Sequence, residues 1–178
     1  MNRTITTGAL AGLAALALAG PAVLADGSGD DGGHHFRARL RGWEETPANV
    51  TEATGTIDVT VAADGGSIDY VLTYTGLEAP SLFAHIHVGE RAVAGGIAAF
   101  LCGGGDKPPC PTTAGTVSGT ILATDIVGPA AQGVAAGQLS RLLEAIRAHS
   151  AYANVHTTLH PAGEIRGQLY PAHPDGPR

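Results

Sequence analysis

The chain has 178 residues, a formal net charge of −6 with histidine counted as neutral, 26 glycines and two cysteines. This length suits one domain with a sizeable hydrophobic core. The net charge is mildly acidic, and the sequence has no stripe of basic residues interleaved with aromatic residues. The charge pattern therefore gives no support to nucleic-acid binding.

The first 25 residues have the layout of a secretory signal peptide. Arg3 precedes an apolar run over residues 9–19, and small residues around Ala25 form a cleavage site. A membrane span is the alternative, but the run is shorter than the roughly 20 apolar residues that a span needs. We therefore expect an exported product, periplasmic or secreted, with no transmembrane segment after cleavage. Residues 26–35 form a predicted disordered lead-in, and residues 171–178 a predicted disordered tail.

The segment that follows begins with an alternating strand pattern. From Phe36 to Gly42, apolar residues alternate with three arginines, which predicts a half-buried strand. Further strand-like runs cover residues 54–62, 67–75, 82–89, 95–101 and 115–124, and Asp64-Gly65-Gly66 is a hairpin turn signal. Leu139, Leu142, Leu143 and Ile146 follow the period of an amphipathic helix. The pattern predicts an all-β fold, an antiparallel Greek-key sandwich or barrel, with one short helix near residues 137–149.

The last segment of the domain, residues 151–170, predicts two strands with polar side chains on one face. Alternate residues of a strand share a face. Tyr152, Asn154 and His156 therefore point one way, and so do Glu164, Arg166, Gln168 and Tyr170 after the turn. Such a row is typical of either a functional site or a buried polar network.

Three histidines on predicted strands form a candidate metal site. His85 and His87 flank Ile86, so their side chains share one face about 6.5–7 Å apart at the backbone. His156 on another strand would complete a three-histidine site, and imidazole suits zinc, copper, iron and nickel. Asn154 or Glu164 would then orient a ligand from its other ring nitrogen. The alternative is a structural network in which these histidines bond to main-chain carbonyls and to Glu164.

The other histidines and the nucleophiles carry less information. His34 and His35 resemble solvated polar residues that a metal could reach, and His149 and His160 resemble surface residues, although His160 could close over the site. His173 lies in the Pro-rich tail. Ser81, Ser118 and Ser140 lack the context of a nucleophile, and the adjacent Glu44 and Glu45 would diverge on a strand. These observations give no support to a hydrolase.

The two cysteines, Cys102 and Cys110, lie in one short loop. Exported chains meet oxidising conditions, so a disulfide is expected. Free thiols or soft metal ligands are the alternatives, but the spacing is a poor match to a zinc ribbon.

Three segments carry a resemblance to a known family: FRARLRGWEETPANVTEATGTIDVTV, LFAHIHVGE and AYANVHTTLHPAGEIRGQL. They resemble the CHRD domain, a repeat module of chordin that also occurs singly in bacterial secreted proteins, over about residues 36–170. The resemblance implies an immunoglobulin-like or barrel-like β fold. In chordin the modules belong to an extracellular protein that binds growth factors, and this role does not transfer by similarity alone.

A second, weaker resemblance is to the copper/zinc superoxide dismutases, which are Greek-key β-barrels. By this resemblance His85 and His87 correspond to the strand pair, His156 to the later copper ligand, and Arg166 to the arginine that guides the substrate. No histidine between His87 and Cys110 is available for a zinc subsite, and the two cysteines lie in one loop. The similarity therefore extends at most to a copper-only site.

Two functions follow as hypotheses. The first is a non-catalytic secreted binding module with an unknown extracellular or envelope partner and a three-histidine site, for which copper is favoured over zinc. The second is a copper-only redox enzyme that is similar to superoxide dismutase.

Overall fold

A computed structural model describes Met1 and residues 34–172 of the chain. The predicted signal peptide, most of the lead-in and most of the tail, including His173, lie outside the described residues. Within the described residues, nine strands, one α-helix and three short 3-10 helices make up the regular structure. The strands are β1 (His35–Arg41), β2 (Thr54–Val61), β3 (Ile68–Thr75), β4 (Ser81–Val88), β5 (Gly96–Cys102), β6 (Gly115–Ile121), β7 (Ala151–Thr157), β8 (Ile165–Gln168) and β9 (Tyr170–Pro171), and the helix is α1 (Leu139–Arg147).

All strands belong to one antiparallel sheet with the order β5-β4-β7-β8-β1-β2-β3-β6, and β9 also pairs with β1. The strands at the two ends of this order, β5 and β6, contact each other, so the sheet curls into a nearly closed barrel. This confirms the all-β antiparallel prediction and selects the barrel over the sandwich.

The alternation in the first strands has the predicted physical consequence. Phe36, Ala38 and Leu40 of β1 are buried, whereas the three arginines that alternate with them face outward. In β3 the predicted set Ile68, Tyr70, Leu72 and Tyr74 is buried and its neighbours are exposed. Strands β1, β2 and β3 therefore bury one apolar face in the barrel and leave the other face to solvent.

The helix and the turn also lie where the pattern predicted them. The four residues of the apolar stripe are all buried in α1, which contacts β7 and β9. In the β2–β3 hairpin the Gly66 amide donates to the Asp64 carboxylate at 2.8 Å. This is an Asx turn, a conformation that aspartate at this position favours. The disulfide between Cys102 and Cys110 is present and closes the loop that follows β5. In the described part of the chain, no helix has the length and apolarity that crossing a membrane requires.

Candidate metal centre

Strands β4 and β7 bring the three predicted histidines together. They are neighbours in the sheet, with Phe83 opposite His156, His85 opposite Asn154 and His87 opposite Tyr152. On the other face of β4, Ala84 and Ile86 are buried in the hydrophobic core. The histidine side chains therefore project from the outer face of the barrel.

This outer face is nevertheless buried. His85, His87 and His156 are only 1%, 6% and 7% exposed, and every residue of β7 is buried on both faces. The cover comes from the loops over residues 42–53, 89–95 and 158–164. Asn49 of the first loop donates to the Gly163 carbonyl at 2.6 Å, and Glu44 of the same loop pairs with Arg91 of the second loop at 2.7 Å.

The three imidazoles form one compact cluster. One ring nitrogen from each of the three histidines lies within 4.8 Å of the others. The closest contact joins His85 Nδ1 to His156 Nε2 at 3.2 Å. The ring centroid of His85 lies 5.3 Å from that of His87 and 5.0 Å from that of His156.

Main-chain carbonyls determine the tautomers of two of these rings. His87 Nδ1 lies 3.0 Å from the Gly95 carbonyl oxygen, and His156 Nδ1 lies 3.0 Å from the Pro161 carbonyl oxygen. A carbonyl oxygen only accepts, so each Nδ1 must donate a proton and each Nε2 carries a lone pair. A carbonyl on the far ring nitrogen is the usual way in which proteins orient a metal-binding histidine.

Two nitrogens of the cluster are buried without a partner among the described residues. These are Nε2 of His85 and Nε2 of His87. Leaving a buried polar atom unbonded costs free energy, so such atoms are rare in folded proteins. Unbonded lone pairs on converging imidazoles fit a cation.

Burial keeps the three rings neutral, which is the form that binds metal. Burial, followed by the charges that His156 and His87 would carry, lowers the pKa of His85 to about 3. Burial lowers the pKa of His87 to about 4, against the opposing effect of the Gly95 carbonyl. It also lowers the pKa of His156, opposed by the Pro161 carbonyl.

Aromatic rings surround the cluster. The rings of Phe83 and Phe100 lie 4.9 and 4.5 Å from the ring of His85. The Tyr152 ring stacks on His87 with centroids 4.8 Å apart and planes 4° apart. The histidine cluster therefore lies in a largely apolar environment, which the spacing of the histidines in the sequence did not predict.

Arg166 lies behind Tyr152 and not beside the histidines. Its guanidinium carbon is 3.4 Å from the centroid of the Tyr152 ring. Strand β7, which carries Tyr152, lies between β4 and β8, so His87 and Arg166 approach this ring from different sides. The guanidinium donates to the Glu90 carbonyl at 2.8 Å and to Thr46 Oγ1 at 3.3 Å, which ties β8 to the covering loops.

The two predicted orienting residues occupy different positions. Asn154 lies between the histidines and Arg166 in the sheet register, and its Oδ1 is buried without a partner in the described region. The Glu164 carboxylate instead accepts hydrogen bonds from Thr51, Thr157 and the Glu78 amide at 2.8–3.1 Å. Glu164 therefore braces the 42–53 and 158–164 loops.

Glu45 belongs to this polar layer, although its sequence position gave no sign of this. Its neighbour Glu44 is half-buried, but Glu45 is buried and one of its oxygens lacks a partner among the described residues. Burial raises the pKa of Glu45 to about 7, against the opposing charge of Arg166. Since Glu45 precedes β2 by nine positions in an irregular loop, no strand period marks it.

The other histidines that the structure describes lie outside the cluster. His160 Nε2 pairs with Glu78 at 2.8 Å. His34 lies next to the Val61 carbonyl, His35 next to Thr60, and His149 next to the ring of Tyr170.

Comparison with known proteins identifies a domain family. The family profile of the CHRD domain matches residues 36–169, which is more than half of the chain. No curated protein and no solved structure matches significantly.

Proposed function

The chain belongs to the CHRD domain family, and from this premise we propose that it is an exported, non-catalytic binding module that holds one copper ion on His85, His87 and His156. The observation that carries the proposal is the convergence of three imidazoles, of which His85 and His87 have an unbonded Nε2. Carbonyls orient the rings of His87 and His156. The disulfide supports export, because such bonds persist in oxidising compartments.

The chemistry of the donor set favours copper. Both cysteines are in the disulfide, so no thiolate is available among them, and the three donors are neutral nitrogens. Among divalent first-row ions, copper binds nitrogen sites most tightly. A buried site without a carboxylate ligand also favours a monovalent ion, since the cost of burying charge rises steeply with the charge. Copper meets the first condition as the cupric ion and the second as the cuprous ion, whereas zinc meets neither.

Binding is better supported than turnover of a small substrate. The three histidines are almost entirely covered, and Arg166 is engaged by Tyr152, Thr46 and Glu90. A copper-only redox enzyme would need a path for superoxide to the metal. We therefore expect copper-loaded protein to consume superoxide no faster than a copper-free control.

Copper titration under reducing conditions tests the proposal. Wild-type protein should bind one equivalent of Cu(I) in competition with a chromogenic chelator. H85F and H87F should each lose this binding, while H35Q, which changes an exposed histidine of β1, should retain it. A ligand at 100 times its Kd stabilises a folded protein by about 2.7 kcal/mol. Copper should therefore raise the Tm of wild type and of H35Q, but not the Tm of H85F or H87F. Substoichiometric copper, unchanged in H85F, would rule the site out.

A further inference from the structure

An open groove lies on the solvent face of strands β1, β2 and β3, away from β4 and β7. Its volume is about 350 Å³. The polar side chains in its lining are two arginines and four threonines: Arg39, Arg41, Thr54, Thr56, Thr73 and Thr75.

The strand register arranges these side chains in two rows. Arg39 is opposite Thr56, which is opposite Thr73. Arg41 is opposite Thr54, which is opposite Thr75. Each row therefore begins with a cation on β1 and continues with hydroxyls across β2 and β3. Since the two arginines are two residues apart on one strand, they project from the same face about 6.5–7 Å apart.

The charge on this face is segregated. The third outward arginine of β1, Arg37, is paired with Asp58 at 2.6 Å. Arg39 and Arg41 have no carboxylate within ion-pair distance among residues 34–172. Within the described part of the chain, two uncompensated cations thus lie side by side, whereas the net charge of the full sequence is −6. Such local charge is complementary to a partner with regularly spaced anionic groups.

We propose that this groove binds an acidic polysaccharide, with its carboxylate or sulfate groups on Arg39 and Arg41 and its hydroxyls on the threonines. Planar guanidinium groups match carboxylate and sulfate oxygens in a bidentate way. Threonine hydroxyls both donate and accept, as sugar hydroxyls do. A single exposed ion pair contributes little, so a small anion gains little here, whereas a polymer that engages both rows gains from multivalency.

The lining favours a polysaccharide over a nucleic acid. Binding of single-stranded nucleic acid relies on exposed aromatic side chains on which bases stack. The aromatic residue next to the groove, Tyr74, is buried, and its hydroxyl bonds to Ser81 and to the Pro111 carbonyl. The lining of the groove therefore offers charges and hydroxyls without an exposed aromatic ring, and the exposed Trp43 lies outside this lining.

Binding of defined polymers to the full-length protein tests the proposal. The probes are polygalacturonate for carboxylate groups, dextran sulfate for sulfate groups, neutral dextran and single-stranded DNA. The single tryptophan, Trp43, is 62% exposed and two residues beyond Arg41, so its fluorescence serves as a reporter beside calorimetry. Wild type should bind at least one acidic polysaccharide, with an affinity that falls as salt is added, and should not bind dextran.

Variants on one strand provide the matched comparison. R39Q and R41Q should each weaken binding about two- to fivefold, and the double variant about tenfold, because each removes an exposed ion pair. R37Q changes the same residue type on the same face but removes an arginine that Asp58 already neutralises, so it should leave affinity within twofold. Equal losses in all three variants, no binding of either acidic polysaccharide, or equally tight and equally arginine-dependent binding of DNA would each overturn the proposal. Copper binding of R39Q should be unchanged, so the two proposals fail or stand separately.

Discussion

Acidification should destabilise the copper-free protein through its buried histidines, and His85 allows a quantitative prediction. Burial and the neighbouring histidines lower the pKa of His85 from 6.5 to about 3 in the folded state. Between these values the unfolded chain binds a proton that the folded protein does not bind. Stability then rises with pH, since the slope follows the excess of protons on the unfolded state. The loss begins as the pH falls below about 6.5 and continues until the folded pKa is reached.

The magnitude follows from the width of this window. One pH unit inside it corresponds to about 1.4 kcal/mol for one group. At pH 4.5 the unfolded histidine is two units below its pKa, so His85 should lower the free energy of unfolding by about 2–3 kcal/mol relative to pH 7.5. His87, with a pKa lowered to about 4, should add a comparable loss. These losses are a large fraction of the total stability of an ordinary domain.

Urea denaturation at several pH values, with chelator present, isolates this contribution. In H85F a phenylalanine occupies a position that already contacts Phe83 and Phe100, and no proton can bind there. The difference in unfolding free energy between wild type and H85F should shift by about 2–3 kcal/mol in favour of H85F between pH 7.5 and 4.5. Parallel curves for wild type and H85F down to pH 4.5 would show that His85 is not held neutral, and the reasoning would fail.

Three further outcomes follow from other parts of the structure. Burial raises the pKa of Glu45 to about 7, so wild type should lose stability relative to E45Q as the pH rises from 5 to 8. Urea denaturation should show a loss of up to about 3 kcal/mol. A difference in unfolding free energy between the two proteins that stays constant with pH would contradict this. The Cys102–Cys110 disulfide closes a loop with a sequence separation of 8, so the double serine variant should lose about 2.5 kcal/mol of stability, and reduction of wild type without effect on stability would refute it. Gly163→Ala should lower Tm more than Gly133→Ala. Both glycines have positive φ, but a Cβ at Gly163 would collide with the Glu45 carboxylate, whereas a Cβ at Gly133 would meet nothing. Equal Tm losses would count against this contact.

The predictability of this fold depends on how each strand is buried. Strand β3 has one face in the core and one in solvent, so its alternating apolar residues identify it directly. Strand β7 is buried on both faces, and its polar row is typical of either a functional site or a buried polar network. Its burial on the outer face depends on loops that the strand pattern does not include. Residue types within β7 carry no information about loops that lie distant in the sequence.

The same limit applies to the candidate site. The spacing of His85 and His87 predicts a shared face, and the register of β4 and β7 brings His156 to them. The Gly95 and Pro161 carbonyls that orient two of the rings come from loop backbone, which any residue could supply. Sequence pattern therefore predicts the candidate ligands but not the groups that orient them.

The role of Glu164 shows why a shared face does not establish a contact. It lies immediately before β8, where the strand period places it beside Arg166 and near the histidines. Its carboxylate is instead held by Thr51 and Thr157 and by a main-chain amide. Those three donors satisfy a buried charge more fully than a neutral imidazole would, because hydrogen bonds to a carboxylate are about twice as strong as those between neutral groups.

The covering loops give the histidine cluster properties that the strands alone would not provide. An open outer face would leave the imidazoles hydrated, with ordinary pKa values, and protonation would compete with metal below about pH 6.5. Covered by three loops, all three rings have lowered pKa values, and His85 and His87, with pKa values of about 3 and 4, stay neutral well into the acidic range. The same cover imposes a cost, since an ion must enter past loops that are held together by Asn49, Glu164 and Arg166. Copper should therefore bind slowly and be released slowly, and replacing Asn49 with alanine should accelerate both rates in stopped-flow chelator exchange while leaving the one-to-one stoichiometry intact. Exchange at the wild-type rate in this variant would mean that the ion enters by a route that these loops do not control.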